Sequence, residues 1–223
     1  MSNYTRLVSS SGSFDEMIRR FGVVTVMNAD VYPAVDFSGT AKTVSEVVSA
    51  CTAPICHLDT LKVANVTVEG PTKTITGGQY ANPLIKFGKS ARLEMQDALG
   101  NIAAIDALCG GVAEWTATSY TDPEGSNTRV YKALHFGEDF NGPKTIIGDS
   151  FFLDKDGNQV KVKILFYQFL PDSIFNLTQD AEGDATVFDM NGDLLTTVVK
   201  VPHQNGENEE HGLFYSILEV ASN

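Results

Sequence analysis

Five carboxylates, Asp180, Glu182, Asp184, Asp189 and Asp193, lie between Asn176 and Leu195 with no Lys, Arg or His among them. Two facing carboxylates can divide the acid and base roles of glycoside hydrolysis, and an all-β scaffold is compatible with such a cleft. Sugar clefts are also lined with aromatic rings, and this segment has only Phe175 and Phe188 at hand. The reading preferred here is a solvated acidic face with a purpose: repulsion of other negative charge. No catalytic residue is nominated, and the chain is not expected to be an enzyme.

Other residue combinations suggest chemistry less well. Cys51-x4-Cys56-His57 has loose spacing for a metal site, and His135, His203 and His211 offer no ligand pair at helix spacing. Three cysteines, an odd number, read as reduced thiols rather than a disulfide framework. Asp154-Lys155-Asp156-Gly157-Asn158 has the look of a calcium loop but lacks its full spacing and its twelfth-position Glu, so a hairpin turn is expected. Gly77-Gly78, Gly110-Gly111 and Gly137 stand outside any phosphate-binding pattern, and Ser9-Ser10-Ser11 has no nucleophile-elbow context. No metal and no cofactor is expected.

Charge is unevenly placed. The chain of 223 residues has a formal net charge of −12. From Ile164 onward there are ten Asp or Glu against Lys200 alone; the first 163 residues hold 18 acidic and 15 basic. Such a surface repels a phosphate backbone, which argues against a nucleic-acid-binding protein. An apolar fraction of 43% with 20% charged residues is ordinary for a globular chain. The opening MSNYTRLVSSSGS has no apolar leader segment, and no apolar run reaches the roughly 18 residues of a membrane span.

The elements that must position these groups are mostly strands. Ser13 and Glu16 form a capping box for a short helix ending at Gly22, and Val23–Met27 reads as a strand. Val31–Phe37 alternates across Pro33, as an edge strand would. Thr43–Ser49 fits a helical turn or a strand. Leu61–Glu69 and Phe87–Met95 read as strands, with Glu94–Leu99 open to a helical reading as well. Asn101–Leu108 is the best helix, with Ile102, Ile105 and Leu108 on one face and Gly110-Gly111 at its end. Trp115 is expected where that helix meets the sheet. Residues 120–149, rich in Gly, Pro and Asn, read as a long irregular insertion with one short element near Val130–Phe136. Ser150–Leu153 and Gln159–Phe166 flank a hairpin turn. Val187–Met190 and Leu194–Val201 flank Asn191-Gly192, the strongest hairpin signal in the chain. Gln204–Glu210 reads as a polar loop and Leu213–Val220 as the last strand. The block Leu165–Leu170 is apolar on both sides, as in a strand buried on both faces.

Two of these segments carry a family resemblance. Phe175, Leu177, Glu182-Gly183-Asp184, Phe188 and Asp189 resemble a pattern F-x-L-x4-E-G-D-x3-F-D near the end of the tail tube (major tail) proteins of long-tailed bacteriophages. Phe87-Gly88-Lys89, Leu93 and Asp97-Ala98-Leu99 resemble a strand of those proteins that precedes a helix, where Asn101–Leu108 stands here. Val68–Lys73 and Gly77-Gly78 fit the strand and turn before it. The likeness covers about half the chain, in the family's order, and leaves the N-terminal 35 residues and 120–149 without counterpart.

The resemblance implies a mainly β fold, a β-sandwich or half-open barrel with one flanking helix, in a single domain over residues 1–223 with an N-terminal arm over 1–35. It implies copies joined edge to edge into rings of six that stack as a hollow tube in the virion tail, made in the host cytoplasm. The implied partners are other copies of the chain, the tail tip, the terminator and the tape measure; genomic DNA passes without specific binding, and no membrane is involved. In that setting Asp180, Glu182, Asp184, Asp189 and Asp193, or alternatively Glu207, Glu209 and Glu210, face the lumen and keep DNA from sticking. Two other functions compete: the inner tube of a contractile tail or secretion apparatus, and a free-standing β-sandwich binding module with an aromatic platform at Trp115, Tyr120 and Tyr131.

Overall fold

The computed structural model describes residues 28–59, 61–70, 72–74, 84–86, 88–97, 102–114, 116–121, 128–137, 140–153, 159–173, 188–203 and 206–219. In chain order they form β1 (Asn28–Pro33), β2 (Lys42–Thr43), α1 (Val44–Ala50), β3 (Cys56–Leu58), β4 (Leu61–Glu69), β5 (Thr72–Thr74) and β6 (Leu84–Lys86). There follow β7 (Ser90–Asp97), α2 (Ile102–Leu108), β8 (Gly111–Ala113), β9 (Thr118–Thr121), β10 (Thr128–Tyr131), β11 (Leu134–Phe136) and β12 (Lys144–Leu153). The C-terminal part adds β13 (Gln159–Pro171), β14 (Phe188–Leu194), β15 (Thr197–Pro202), β16 (Asn208–Leu213) and β17 (Tyr215–Glu219). The fold is mainly β, as expected, and rests on one large antiparallel sheet ordered β3-β1-β12-β13-β14-β7-β4, with β17 also on β13. The expected helix at residues 13–22, the expected strand at 23–27 and Trp115 lie outside the described residues.

Strand β13 is the centre of this sheet because its sequence is apolar on both sides. Ile164, Phe166 and Phe169 enter one apolar cluster, with Val31, Leu58, Leu93, Met95, Met190 and the α2 residues Ala104, Ile105 and Leu108. Leu165 and Tyr167 enter a second, with Tyr32, Val35, Ile147, Val199 and Val47 of α1. Each large side chain so buried contributes about 1.5–3 kcal/mol. The block expected to be buried on both faces is core, though Leu170 at its end is exposed.

A break in alternation lets Phe166 and Phe169 share one face. Along β12, Lys144 pairs with Phe169 and Ile146 with Phe166, so β13 carries an extra residue there. The bulge leaves a carbonyl to satisfy: the Thr145 hydroxyl donates to Tyr167 O at 2.9 Å, and Thr145 Oγ1 accepts from the Val35 amide at 3.1 Å. Buried backbone groups need such partners.

Several expectations are corrected. The strand expected at 31–37 runs instead from Asn28 to Pro33 and is internal, pairing with β12 and β3 at once. Pro33 sits at its end, where a missing donor costs the ladder little. Thr43–Ser49 resolves into a helix: Thr43 caps α1, its Oγ1 accepting from the Glu46 amide while the Glu46 carboxylate accepts from the Thr43 amide. Among the described residues the structure therefore has two helices, α1 and α2. Residues 120–149 are not one irregular insertion. β9 pairs with β10, β11 with β8, and β12 begins at Lys144, so short paired strands occupy much of the segment among the described residues.

The largest correction concerns Asn191-Gly192. It is no turn: β14 runs straight through it, pairing with β7 on one side and with Leu170 and Pro171 on the other. Glycine is required here for close approach. A Cβ on Gly192 would lie 2.2 Å from Leu170 O and 2.7 Å from the Phe169 ring. Gly192→Ala is expected to destabilise the protein by about 3 kcal/mol or to prevent folding. Gly142→Ala, where a Cβ meets nothing within 4 Å, should change stability by less than about 0.5 kcal/mol. Urea denaturation of the two variants checks the contrast.

Candidate functional site

Strands β4, β7 and β14 have one covered face and one open face. On β7, Ala91, Leu93, Met95 and Asp97 are buried, while Arg92, Glu94 and Gln96 point the other way. Register then sets their neighbours: Asp189 stands opposite Gln96, Asn191 opposite Glu94 and Asp193 opposite Arg92. On the other side, Asn65, Thr67 and Glu69 stand opposite Glu94, Arg92 and Ser90. Because side chains alternate along a strand, these residues share one face. Gln96 donates to Asp189 Oδ1 at 2.9 Å.

Arg92 is shared by three carboxylates. Its guanidinium grips both oxygens of Asp172, just past β13, donates to Asp193 Oδ1 at 3.3 Å, and brings Nε within 4.0 Å of Glu94. The hydrogen bond to Asp172 and the surrounding negative charge raise the pKa of Arg92 above its ordinary value. With Asp189 and Glu69 the face remains net acidic. A shallow depression of about 250 Å3 lies over it, lined by Thr67, Glu69, Ser90, Arg92, Glu94 and Asp193. Binding pockets for small molecules are mostly lined by hydrophobic residues and about 300–1,000 Å3; this one is smaller, and its lining residues are mostly polar or charged. The arrangement repels anions.

The sequence-nominated carboxylates are thus only partly placed. Asp189 and Asp193 are exposed, four residues apart on one strand face. Asp180, Glu182 and Asp184 lie outside the described residues. Sequence reasoning missed Arg92, Glu94 and Asp172, since their meeting depends on the pairing of β7 with β14. Glu209 and Glu210 belong to a different sheet, β16-β15-β2, and Glu207 lies just before β16. Glu209 and Glu210 are on strand β16 rather than in a loop, and Glu210 stands opposite Lys200. On the same hairpin Glu209 Oε2 lies 3.3 Å from His203 Nε2 and 3.8 Å from His211 Nε2. The two histidines, without a common helix, are brought together by strand pairing.

Cys51-x4-Cys56-His57 is not a ligand set. Cys56 is buried on one side of β3, while His57 is exposed and bonds Asp30 at 2.6 Å. Asp154–Asn158 lies outside the described residues, but β12 and β13 pair up to Leu153 and Gln159 as a hairpin requires. For the aromatic platform, Tyr131 is 39% exposed; Trp115 and the side chain of Tyr120 lie outside what is described. Among the described residues, no helix is long and apolar enough to cross a membrane. No protein-family model matches the chain, and no curated protein matches it significantly.

Burial pushes the thiols up, Cys51 and Cys109 to about 11 and Cys56 to about 12. At pH 8 a group with such a pKa is about 0.1% thiolate or less. A thiol reagent at pH 8 should therefore label the native protein slowly and all three cysteines rapidly after denaturation. Arg92→Ala removes the cation that offsets the acidic face. It should cost about 1 kcal/mol at low ionic strength, partly recovered in high salt as repulsion is screened; denaturation at two salt concentrations measures this.

Proposed function

We propose that this chain is a structural virion protein that polymerises as stacked rings, six copies to a ring, into the tube of a phage tail, a conduit for DNA. The observation that carries this reading is the margin of the main sheet beside its acidic face, where β4 is the last strand among the described residues. β4 is nine residues long and closes the sheet path, with β7 as its partner among the described residues. A long edge strand offers unpaired donors and acceptors to another chain, so it suits edge-to-edge joining of copies. Val68 on it is 43% exposed.

Two further features support assembly. The short strands between residues 111 and 140 leave Val112, Val130, Tyr131, Phe136 and Phe140 exposed, Phe140 by 81%. Large apolar groups left in water favour protein contacts. The exposed Asp189 and Asp193, with Glu94 and Glu69, supply the negative charge that lets a phosphate backbone pass without sticking. The resemblance at Phe87–Leu99 and Phe175–Asp189 points the same way. In this reading the chain resides in the virion tail, contacts tip and terminator proteins, and performs no catalysis.

Negative-stain electron microscopy of the purified chain over a range of concentrations tests assembly: rings or hollow tubes are expected. A monomer at every concentration, with no growth from added tail tips, would sink the reading in favour of a free-standing binding module. A surrounding sheath in the native particle would move it to a contractile tail. In virions carrying Asp189→Asn and Asp193→Asn together, tails should assemble and DNA ejection should slow; normal ejection would remove these residues from the lumen.

A further inference from the structure

We infer that His203, Glu209 and His211 form a binding site for a divalent transition-metal ion of the zinc type, at the turn end of the β15–β16 hairpin. Two imidazoles and a carboxylate are a ligand set suited to Zn2+ and, by the same donors, to Ni2+ or Cu2+. The pairing register creates it. Val201 faces Glu209 and Val199 faces His211, so Glu209 and His211, two residues apart, share a face of β16. His203 follows the last paired residue of β15 and reaches across to the same carboxylate.

The geometry is close to what an ion requires. Glu209 Oε2 lies 3.3 Å from His203 Nε2 and 3.8 Å from His211 Nε2, and the three donor atoms fall within 4.8 Å of one another. Ligand atoms about 2.0–2.1 Å from a tetrahedral ion stand about 3.3–3.4 Å apart. Small side-chain rotations close the difference. The imidazole rings are stacked, with centroids 6.0 Å apart and planes at 28°, so both present Nε2 to the same carboxylate.

The backbone holds this arrangement ready. The His203 amide donates to Glu207 O at 2.8 Å, and the Gly206 amide donates to His203 O at 2.9 Å. Gly206 has φ +85°, a conformation that favours glycine. The side chains are 43–54% exposed. Such openness makes the ion exchangeable and leaves its remaining coordination to water. The site is remote in topology from the acidic face of β4, β7 and β14, and it does not depend on the tube reading.

Equilibrium dialysis of the tag-free full chain against Zn2+, with bound metal counted by atomic emission, tests the site. One ion per chain is expected. His203→Ala and His211→Ala should each weaken binding at least about tenfold, and Glu209→Gln should weaken it too. All three positions are exposed, and an unchanged metal-free melting temperature will show that the variants are folded. Zn2+ should raise the melting temperature of the wild type but not of the His203→Ala/His211→Ala double variant. Absence of uptake, or equal uptake by the double variant, would overturn the assignment and leave only His–Glu ion pairs.

Discussion

Strand β13 is where the two apolar clusters meet, and the rest of the structure is arranged to serve it. Ile164 and Phe166 on one side and Leu165 and Tyr167 on the other must both leave water. That requires cover on two faces: α2 with β7 and β14 residues on one, α1 with Val199 of β15 on the other. It also requires ladders along both edges. β12 takes one edge, and the other is divided between β17, at Val162–Phe166, and β14, at Phe169–Pro171. Two strands can share one edge because β13 is 13 residues long.

The division is bought with two local irregularities. The bulge opposite Lys144–Ile146 turns Phe169 onto the Phe166 side, and Thr145 satisfies the carbonyl released by it. Gly192 then lets β14 lie against Leu170 and the Phe169 ring at a distance no side chain permits. The Leu195 amide bonding Gln168 O and the Asp172 amide bonding Asn191 O close the junction on either side. Asp172 is thereby held beside Arg92, which ties the end of β13 to the outer face of β7 and β14.

The charge pattern follows from which part of the sheet receives cover. Around β1, β12 and β13 both faces are packed. Farther out, β4, β7 and β14 are packed on one face only, and their opposite face carries Glu69, Glu94, Asp189 and Asp193 around Arg92. That acidic face lies beside β4, which among the described residues pairs with β7 alone; in the proposed tube such an edge would join copies through backbone groups while the face rejects polyanions.

Much of this was legible in the residues. Period-two alternation gave the strands at Leu61–Glu69 and Gln159–Phe166, the i, i+3 face of Ile102, Ile105 and Leu108 gave α2, and the two-sided apolar block gave the buried centre. These depend on local periodicity, which a single chain displays by itself. Asn191-Gly192 misled, because the same glycine serves a turn or a close approach, and only the packing of Leu170 and Phe169 selects between them. Thr43 was ambiguous until Glu46 closed its capping box. The grouping of Arg92 with Asp172 and Asp193, and of His203 with Glu209 and His211, was beyond the sequence for one reason. Register between strands brings residues together across the ladder, at separations along the chain that no spacing rule records. The amino-acid sequence alone determined a mainly β chain with an acidic C-terminal part; the tertiary structure decided which of those charges share a face.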